Sequence, residues 1–369
     1  MRLAIIADWL PTFGGAEHVI AELHALWPQA PIFTTVARYG HLGPLNQADI
    51  RSSNLQRWYR LLGRHEVLLP WMPRVIEKID LREFDVVVSS SHAVAKGVIP
   101  PSSAVHVCYC HTPMRYAWEM EEEYLRDFRV PRLLRRAIKC LLKRIRRWDL
   151  ATAKRVDNFI ANSTTTQERI SRVYGRESVV IPPPVDERFF AQTLPTKEER
   201  KGFLAIGRLV PYKRFDLLIE AANQLSIPLT IAGTGRDIAR LKALAGPTVD
   251  MLGFVPDAEL PALYAQARAL LLPQIEDAGV VSLEAQACGT PVIALKRGGV
   301  LDTVRENVTG IFFDTQTVPA LQGALQQFER ATFDHTAIRE HARQFSSSHF
   351  REKITQAVND AVARRTKQT

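Results

Sequence analysis

Glu276-Asp277-Ala278-Gly279-Val280-Val281-Ser282-Leu283-Glu284, continuing through Ala285-Gln286-Ala287-Cys288-Gly289-Thr290-Pro291-Val292-Ile293-Ala294, is the stretch whose reading decides the fold. Ala269-Leu270-Leu271-Leu272-Pro273 before it reads as a buried strand closed by proline. Pro291-Val292-Ile293-Ala294 opens the next strand. Between them lie a short loop and a helix that stops at Gly289, a C-terminal glycine signal. This is one strand–loop–helix–strand unit with an acid on the loop and an acid on the helix. Gly279 allows close backbone approach at the helix start, where unpaired amides and the macrodipole favour an anion. Glu276 and Glu284 are eight residues apart, about 80° in azimuth on an ideal helix, so they are not one carboxylate pair. They read as grips on two ends of an elongated ligand with an anionic middle.

Glu-x7-Glu with an internal glycine, followed by Ala-x-Ala-Cys-Gly-Thr-Pro-Val-Ile-Ala, resembles the donor site of the retaining glycosyltransferases of family 4. The resemblance implies the α/β GT-B fold: two Rossmann-like domains facing one another across a cleft, with a C-terminal helix able to cross back to the first. It further implies that Glu276 contacts the donor sugar and Glu284 the ribose hydroxyls. The rival reading is two solvated acids near a helix.

Upstream, Phe203-Leu204-Ala205-Ile206-Gly207 is a strand, and Arg208 and Lys213 follow on the loop and helix start. Cations there can neutralise a diphosphate leaving group as its charge develops. The pattern Gly-Arg-Leu-x-x-x-Lys-x-x-x-x-Leu-Ile-x-Ala is similar to the family's diphosphate-binding pair. The same resemblance places the donor against Gly233, Phe254, Val255, Ala278, Gly279, Val280 and Val281, with the nucleobase beside the strand Val249–Val255. No Asp-x-Asp pair occurs, so no metal and no cofactor is expected; Arg208, Lys213 and the helix start at 279–281 carry the neutralisation.

In the first half, Leu3-Ala4-Ile5-Ile6-Ala7 reads as a central parallel strand. Gly14-Gly15 follows at a helix start, where the family carries a glycine-rich loop facing donor and acceptor; a tight turn is the plainer reading. Phe84 to Ser90 is a strand whose tip, Ser89-Ser90-Ser91-His92, lies where open sheets bind ligands. Val105 to Cys110 is another, and His111-Thr112-Pro113 breaks out of it. His111 occupies the place of a family histidine that contacts the transferred sugar, and Arg115, Tyr116 and Trp118 could line the same region. The string Tyr-x-His-Thr-Pro-Met-Arg-Tyr-x-Trp resembles bacterial polysaccharide mannosyltransferases within the family.

Three consecutive prolines, Pro182 to Pro184, make a stiff linker. The expected division is 1–183 as an acceptor domain, 184–345 as a nucleotide-sugar donor domain and 346–369 as a helix returning to the first. Net charge is +9. Residues 1–184 hold 26 Lys and Arg against 18 acids, and the remainder 22 against 21. Eight bases and no acid fall within 132–147. There Leu133, Leu134, Ala137, Ile138, Leu141, Leu142, Ile145 and Trp148 form an apolar stripe beside Arg132, Arg135, Arg136, Lys139, Lys143 and Arg144. Such a helix can lie on an anionic membrane surface, or its stripe can pack inward with the bases solvated. Residues 54–80 interleave Trp58, Tyr59, Leu61, Leu62, Val67 and Trp71 with Arg57, Arg60, Arg64 and Arg74; core packing is the commoner reading, an acceptor groove or lipid contact the other.

Neither a spanning run nor a leader is visible, and the spacing of Cys108, Cys110, Cys140 and Cys288 fits neither a zinc site nor a disulfide framework. The expectation is a cytoplasmic protein, peripheral on the inner face of the membrane. The expected activity is retaining hexosyl transfer, mannose from GDP-mannose first, onto a lipid-linked saccharide in polysaccharide biosynthesis, with a UDP-linked donor left open. A GT-B epimerase or phosphorylase would share the architecture. A basic nucleic-acid- or membrane-binding protein without catalysis is the rival of another class, although the bases carry no interleaved aromatic platform and no nucleic-acid partner is expected.

Overall fold

The computed structural model describes residues 1–119 and 132–367. The chain divides into two units, Met1–Pro182 with Phe350–Thr369, and Pro183–His349.

The first unit is built on seven strands: β1 (Leu3–Ala7), β2 (Ile32–Thr34), β3 (Ile50–Ser52), β4 (Val86–Ser91), β5 (Val105–Cys110), β6 (Asn158–Ala161) and β7 (Ser178–Val180). Their order is β3-β2-β1-β4-β5-β6-β7, and every pairing is parallel. The central strands are buried on both faces, as their continuous apolar runs require. Alternation sends Leu3, Ile5, Val86, Val88 and Val107 to one core and Ala4, Ile6 and Val87 to the other. The helix Ser347–Thr366 completes the first core with Phe350, Ile354, Val358 and Ala361.

The helix Arg132–Thr152 belongs to the second core. Ile145 is buried there, with Leu141 and Trp148 packed against the same cluster as Met72 and Ile76, and Leu142 is buried as well. The Trp148 ring fills the space where Gly97 lacks a side chain, and its indole N–H donates to Glu77 at 2.9 Å. Asp149 pairs with Lys96, and both are fully buried. The stripe from Leu141 to Trp148 therefore packs inward, Ala137 is exposed, and the bases Arg136, Lys143, Arg144 and Arg147 face solvent. The side chains of Arg132, Leu133, Leu134 and Tyr116 lie outside the described residues.

Residues 54–80 meet the core-packing expectation only in part. Leu68, Met72 and Ile76 enter the core, whereas Trp58, Leu61, Leu62, Val67 and Trp71 stay exposed, so the core-packing expectation fails for these five.

The second unit carries β8 (Phe203–Ile206), β9 (Leu229–Ala232), β10 (Val249–Gly253), β11 (Ala269–Leu272), β12 (Val292–Leu295) and β13 (Gly310–Phe313), all parallel, in the order β10-β9-β8-β11-β12-β13. In each sheet the order reverses once, between β1 and β4 and between β8 and β11. Helices leave the strand ends on either side of such a switch point and open a crevice at the C-terminal ends, where open α/β sheets take ligands.

Candidate functional site

In the second unit the switch point is bridged by an ion pair. β8 ends at Ile206, Gly207 follows it, and Pro211–Lys213 forms one tight 3₁₀ turn before the helix Phe215–Leu225. Arg214 takes a left-handed conformation at that junction, with φ 55°. The turn sends Lys213 back across the strand ends, and its Nζ lies 2.9 Å from Glu276 Oε1. Gln274, buried at the end of β11, donates to the same oxygen at 2.9 Å. The glutamate's backbone is fixed as well. Gly299 N–H donates to the Glu276 carbonyl at 2.8 Å, and a Cβ on Gly298 would fall 2.4 Å from that carbonyl. Gly298-Gly299 is thus a packing surface for the loop, a role that nothing in its local pattern announces.

Behind Glu276 the helix Val280–Ala287 begins at Gly279, φ 67°, with no side-chain cap. The Ser282 hydroxyl donates back to the Gly279 carbonyl and lies 2.9 Å from the Thr303 hydroxyl, which ties the first turn down. The amides of Val280 and Val281 are too early in the helix to have intrahelical acceptors and point outward. Ala278 is half-buried beside them. One turn on, Glu284 accepts from the Tyr264 hydroxyl at 2.8 Å. Burial pushes the Glu284 carboxyl up to about 7, against the pull of Tyr264 and of Arg188. Neither Tyr264 nor Arg188 carries a local signature that would single it out.

The remaining residues expected at the donor site are spread around this centre. Arg208 is exposed on the loop after β8 and makes no ion pair among the described residues. Gly233 follows β9 with φ 141°, and a Cβ there would lie 1.9 Å from the Gly207 carbonyl. Only glycine lets the two loops pass. Phe254 stands beyond β10 with 74% of its surface exposed, and Val255 is half-buried.

The first unit bridges its own switch point with Asp8, just after β1, and His92, just after β4. Asp8 accepts from the backbone amides of His92, Ala93, Val94 and Ala95 at 2.5–3.0 Å, and His92 Nδ1 lies 3.0 Å from its Oδ2. Burial raises the carboxyl, but the His92 charge and these amides prevail and hold it at about 2. His92 is correspondingly raised, its burial outweighed by Asp8 and Glu17. Glu17 is buried near the start of the helix Gly15–Leu26, and burial raises its carboxyl. That helix has no side-chain cap, and space is open where Gly15 lacks a Cβ.

His111 stands at the end of β5. Its Nε2 lies 2.8 Å from the Ser90 hydroxyl, and its ring packs edge-on to Tyr109 and His92. Burial, then the neighbouring His92 charge, lowers it to about 3, so it is neutral at physiological pH. The serine-rich tip of β4 therefore divides its work: Ser90 meets His111 and His92 meets Asp8. Trp118 donates to Asp149 at 2.7 Å, which fixes the turn after His111 to the helix Arg132–Thr152. The sequence singled out the tip that carries His92 but not Asp8, its partner.

No helix among the described residues is long and apolar enough to cross a membrane. The four cysteines are free.

The Glycosyltransferase Family 4 model matches residues 13–189, and the model for glycosyl transferases group 1 matches residues 186–345. Among curated proteins, the D-inositol 3-phosphate glycosyltransferase of Geodermatophilus obscurus is 31% identical over 222 residues, 52% of this chain and 49% of that protein. The GDP-mannose-dependent alpha-(1-6)-phosphatidylinositol monomannoside mannosyltransferase of Mycolicibacterium smegmatis is 32% identical over 192 residues, 44% of this chain and 50% of that protein. The chain spans about half the length of the curated relatives it matches. Among solved structures, sucrose-phosphate synthase from Thermosynechococcus elongatus superposes with a TM-score of 0.70 at 17% identity, covering 98% of this chain and 100% of that one. A lipopolysaccharide outer core galactosyltransferase superposes with a TM-score of 0.67 at 17% identity, covering 98% and 99%. With one match on each unit and this architecture, the chain belongs to the family 4 glycosyltransferases of GT-B fold.

Proposed function

We propose that the chain is a retaining hexosyltransferase that takes mannose from GDP-mannose and places it on a lipid-linked saccharide at an anionic membrane surface. The observation that carries this reading is the Lys213–Glu276 pair, set across the switch point of the second unit in front of an uncapped helix start. In the proposed ground state the diphosphate occupies the amides of Val280 and Val281 and draws Lys213 away from Glu276. The freed carboxylate then accepts from hydroxyls of the donor sugar. Arg208 supplies a second cation from the exposed loop. Glu284, its carboxyl raised to about 7 by burial, takes the ribose hydroxyls with Tyr264 behind it. Phe254 offers a ring to the nucleobase.

As the glycosidic bond to the phosphate breaks, negative charge grows on the diphosphate, and Lys213, Arg208 and the helix amides stabilise it; each such contact is worth about 10²–10³ in rate. His111, neutral and held by Ser90, is assigned to the transferred sugar. No metal is assigned a part, and chelator is expected to leave turnover unchanged. The preference for mannose rests on the likeness to the Mycolicibacterium protein and on the His-Thr-Pro-Met-Arg-Tyr string.

The test is a panel of nucleotide sugars scored by protection against thermal unfolding and then by transfer. GDP-mannose should protect most and yield an α-linked product. Greater protection by a UDP-sugar would reassign the donor. Intact donor with a changed sugar, or a sugar phosphate released with inorganic phosphate, would indicate the epimerase or phosphorylase reading. The membrane part is tested separately: binding to anionic vesicles should weaken with salt and when Arg135, Arg136, Lys139 and Lys143 become glutamine.

A further inference from the structure

The helix Gln56–Leu62 has two apolar faces. Leu55 and Tyr59 face the core of the first unit, and Gln56 locks the helix in place through both ends of its amide, to the Ala37 N–H at 2.8 Å and the Ala37 carbonyl at 2.7 Å. Trp58, Leu61 and Leu62, spaced three and four residues apart, face outward. The chain then turns at Gly63 and brings Val67 and Trp71 to the surface. Trp58 is 58% exposed, Leu61 75% and Trp71 53%. Around them Arg57, Arg60, Arg64 and Arg74 are exposed and make no ion pair among the described residues. The one acid between residues 56 and 74, Glu66, faces His65 at 3.7 Å.

Large apolar side chains are seldom left in water as a cluster, and two tryptophans ringed by unpaired arginines suit one environment in particular. Indole favours the membrane–water interface, and guanidinium groups reach headgroup phosphates from the same depth. We propose that residues 58–71 are the element that enters the bilayer, with Trp58, Leu61, Leu62 and Trp71 at the acyl boundary and the four arginines on anionic headgroups. The occupant is an anionic lipid surface because every exposed charge on the patch apart from Glu66 is positive. In the basic helix Arg132–Thr152, Leu141, Ile145 and Trp148 are committed to the same core cluster that carries Leu68 and Met72, so this part of the helix attracts lipid by charge and leaves insertion to the 58–71 element. The proposal rests on the membrane reading above and names its inserting part.

The experiment uses the full chain and vesicles rich in phosphatidylglycerol, with and without acyl chains brominated near the headgroup. Wild type should bind, and the brominated lipid should quench its tryptophan emission. The double variant Trp58→Phe, Trp71→Phe should bind within about twofold of wild type and lose most of the quenching. The double variant Trp58→Ser, Leu61→Ser should partition at least tenfold more weakly, while protection by nucleotide sugar in solution stays unchanged and certifies its fold. Salt-sensitive binding without quenching would overturn insertion and leave charge-driven docking standing. No binding of wild type to anionic vesicles would overturn both. If Trp58→Ser, Leu61→Ser instead turns a dimer into a monomer at unchanged partition, the face is a contact between copies and the proposal is wrong.

Discussion

Each unit closes its switch point with one acid and one base, and the two pairs are built for opposite ends. Asp8 in the first unit is saturated: four backbone amides and the His92 ring converge on one buried carboxylate. Lys213 in the second reaches Glu276 from a long flexible arm, at an oxygen it shares with Gln274, and both members of the pair remain partly open to solvent. A saturated carboxylate has nothing left to offer a ligand, and the pair holds the ends of β1 and β4 together. A pair that keeps some solvent access can part when an anion competes for its lysine. The fold places both at the same topological position, so burial and solvent access, not position, distinguish the two pairs, clasp from grip.

The largest expected contrast is between activity and stability. Glu276→Ala should abolish transfer and leave the melting temperature close to wild type. Asp8→Asn should do the reverse, costing about 3–5 kcal/mol, as breaking a buried, hydrogen-bonded charge pair does. Unfolding curves and initial rates on the same preparations check both. Near-normal turnover in a folded Glu276→Ala protein would erase the distinction.

Next in size, Lys213→Ala and Arg208→Ala should each slow the chemical step about 10²-fold or more, visible in kcat rather than in KM alone. Chelator should not slow the wild type. Loss of activity with chelator and its return with magnesium or manganese would replace the cations' role by a metal's.

Protonation sharpens the comparison further. Asp8 titrates at about 2 against an ordinary value of 3.8, so its share of stability is present above pH 3.8 and is lost as the pH falls through 2. His92 holds its proton more tightly than a free imidazole, so its share is full below 6.5 and fades as the pH rises through its raised value. Glu284 runs the other way. It titrates at about 7 against an ordinary 4.5, so the unfolded chain releases that proton first and stability declines as the pH rises from 4.5 to 7. The smallest effect follows from this. Glu284→Gln should raise the melting temperature at pH 8, leave it nearly unchanged at pH 4, and weaken nucleotide-sugar binding. Lower stability of that variant at pH 8 would mean that Glu284 is another clasp.

How much of this was legible in the sequence depended on distance along the chain. The loop and helix from Glu276 to Glu284 are consecutive, so glycine, acids and period declare themselves together. Lys213 and Arg208 were legible as cations following a strand, although the contact with Glu276 spans 63 positions. Asp8 and His92 lie 84 positions apart, and each alone resembles an ordinary polar residue at a strand tip. The strands β2 and β3 have three residues each, too few for a period to show. The basic helix allowed two orientations, and the partners that chose between them, Glu77, Lys96 and Gly97, come from other segments. Trp58 and Trp71 could not be told from core aromatics by pattern, because their neighbours Tyr59 and Met72 do turn inward.

The central claim is that the pair across β8 and β11 grips a nucleotide sugar, Lys213 by the diphosphate and Glu276 by the sugar. The most direct measurement is a titration of wild type, Lys213→Ala and Glu276→Ala with GDP and with GDP-mannose, replaced by whichever nucleotide sugar protects best. Lys213→Ala should weaken both ligands alike, by about tenfold or more. Glu276→Ala should weaken the nucleotide sugar by a similar factor and leave the nucleoside diphosphate within about twofold. Equal affinity of all three proteins for both ligands, or loss of the diphosphate alone on removing Glu276, would contradict it.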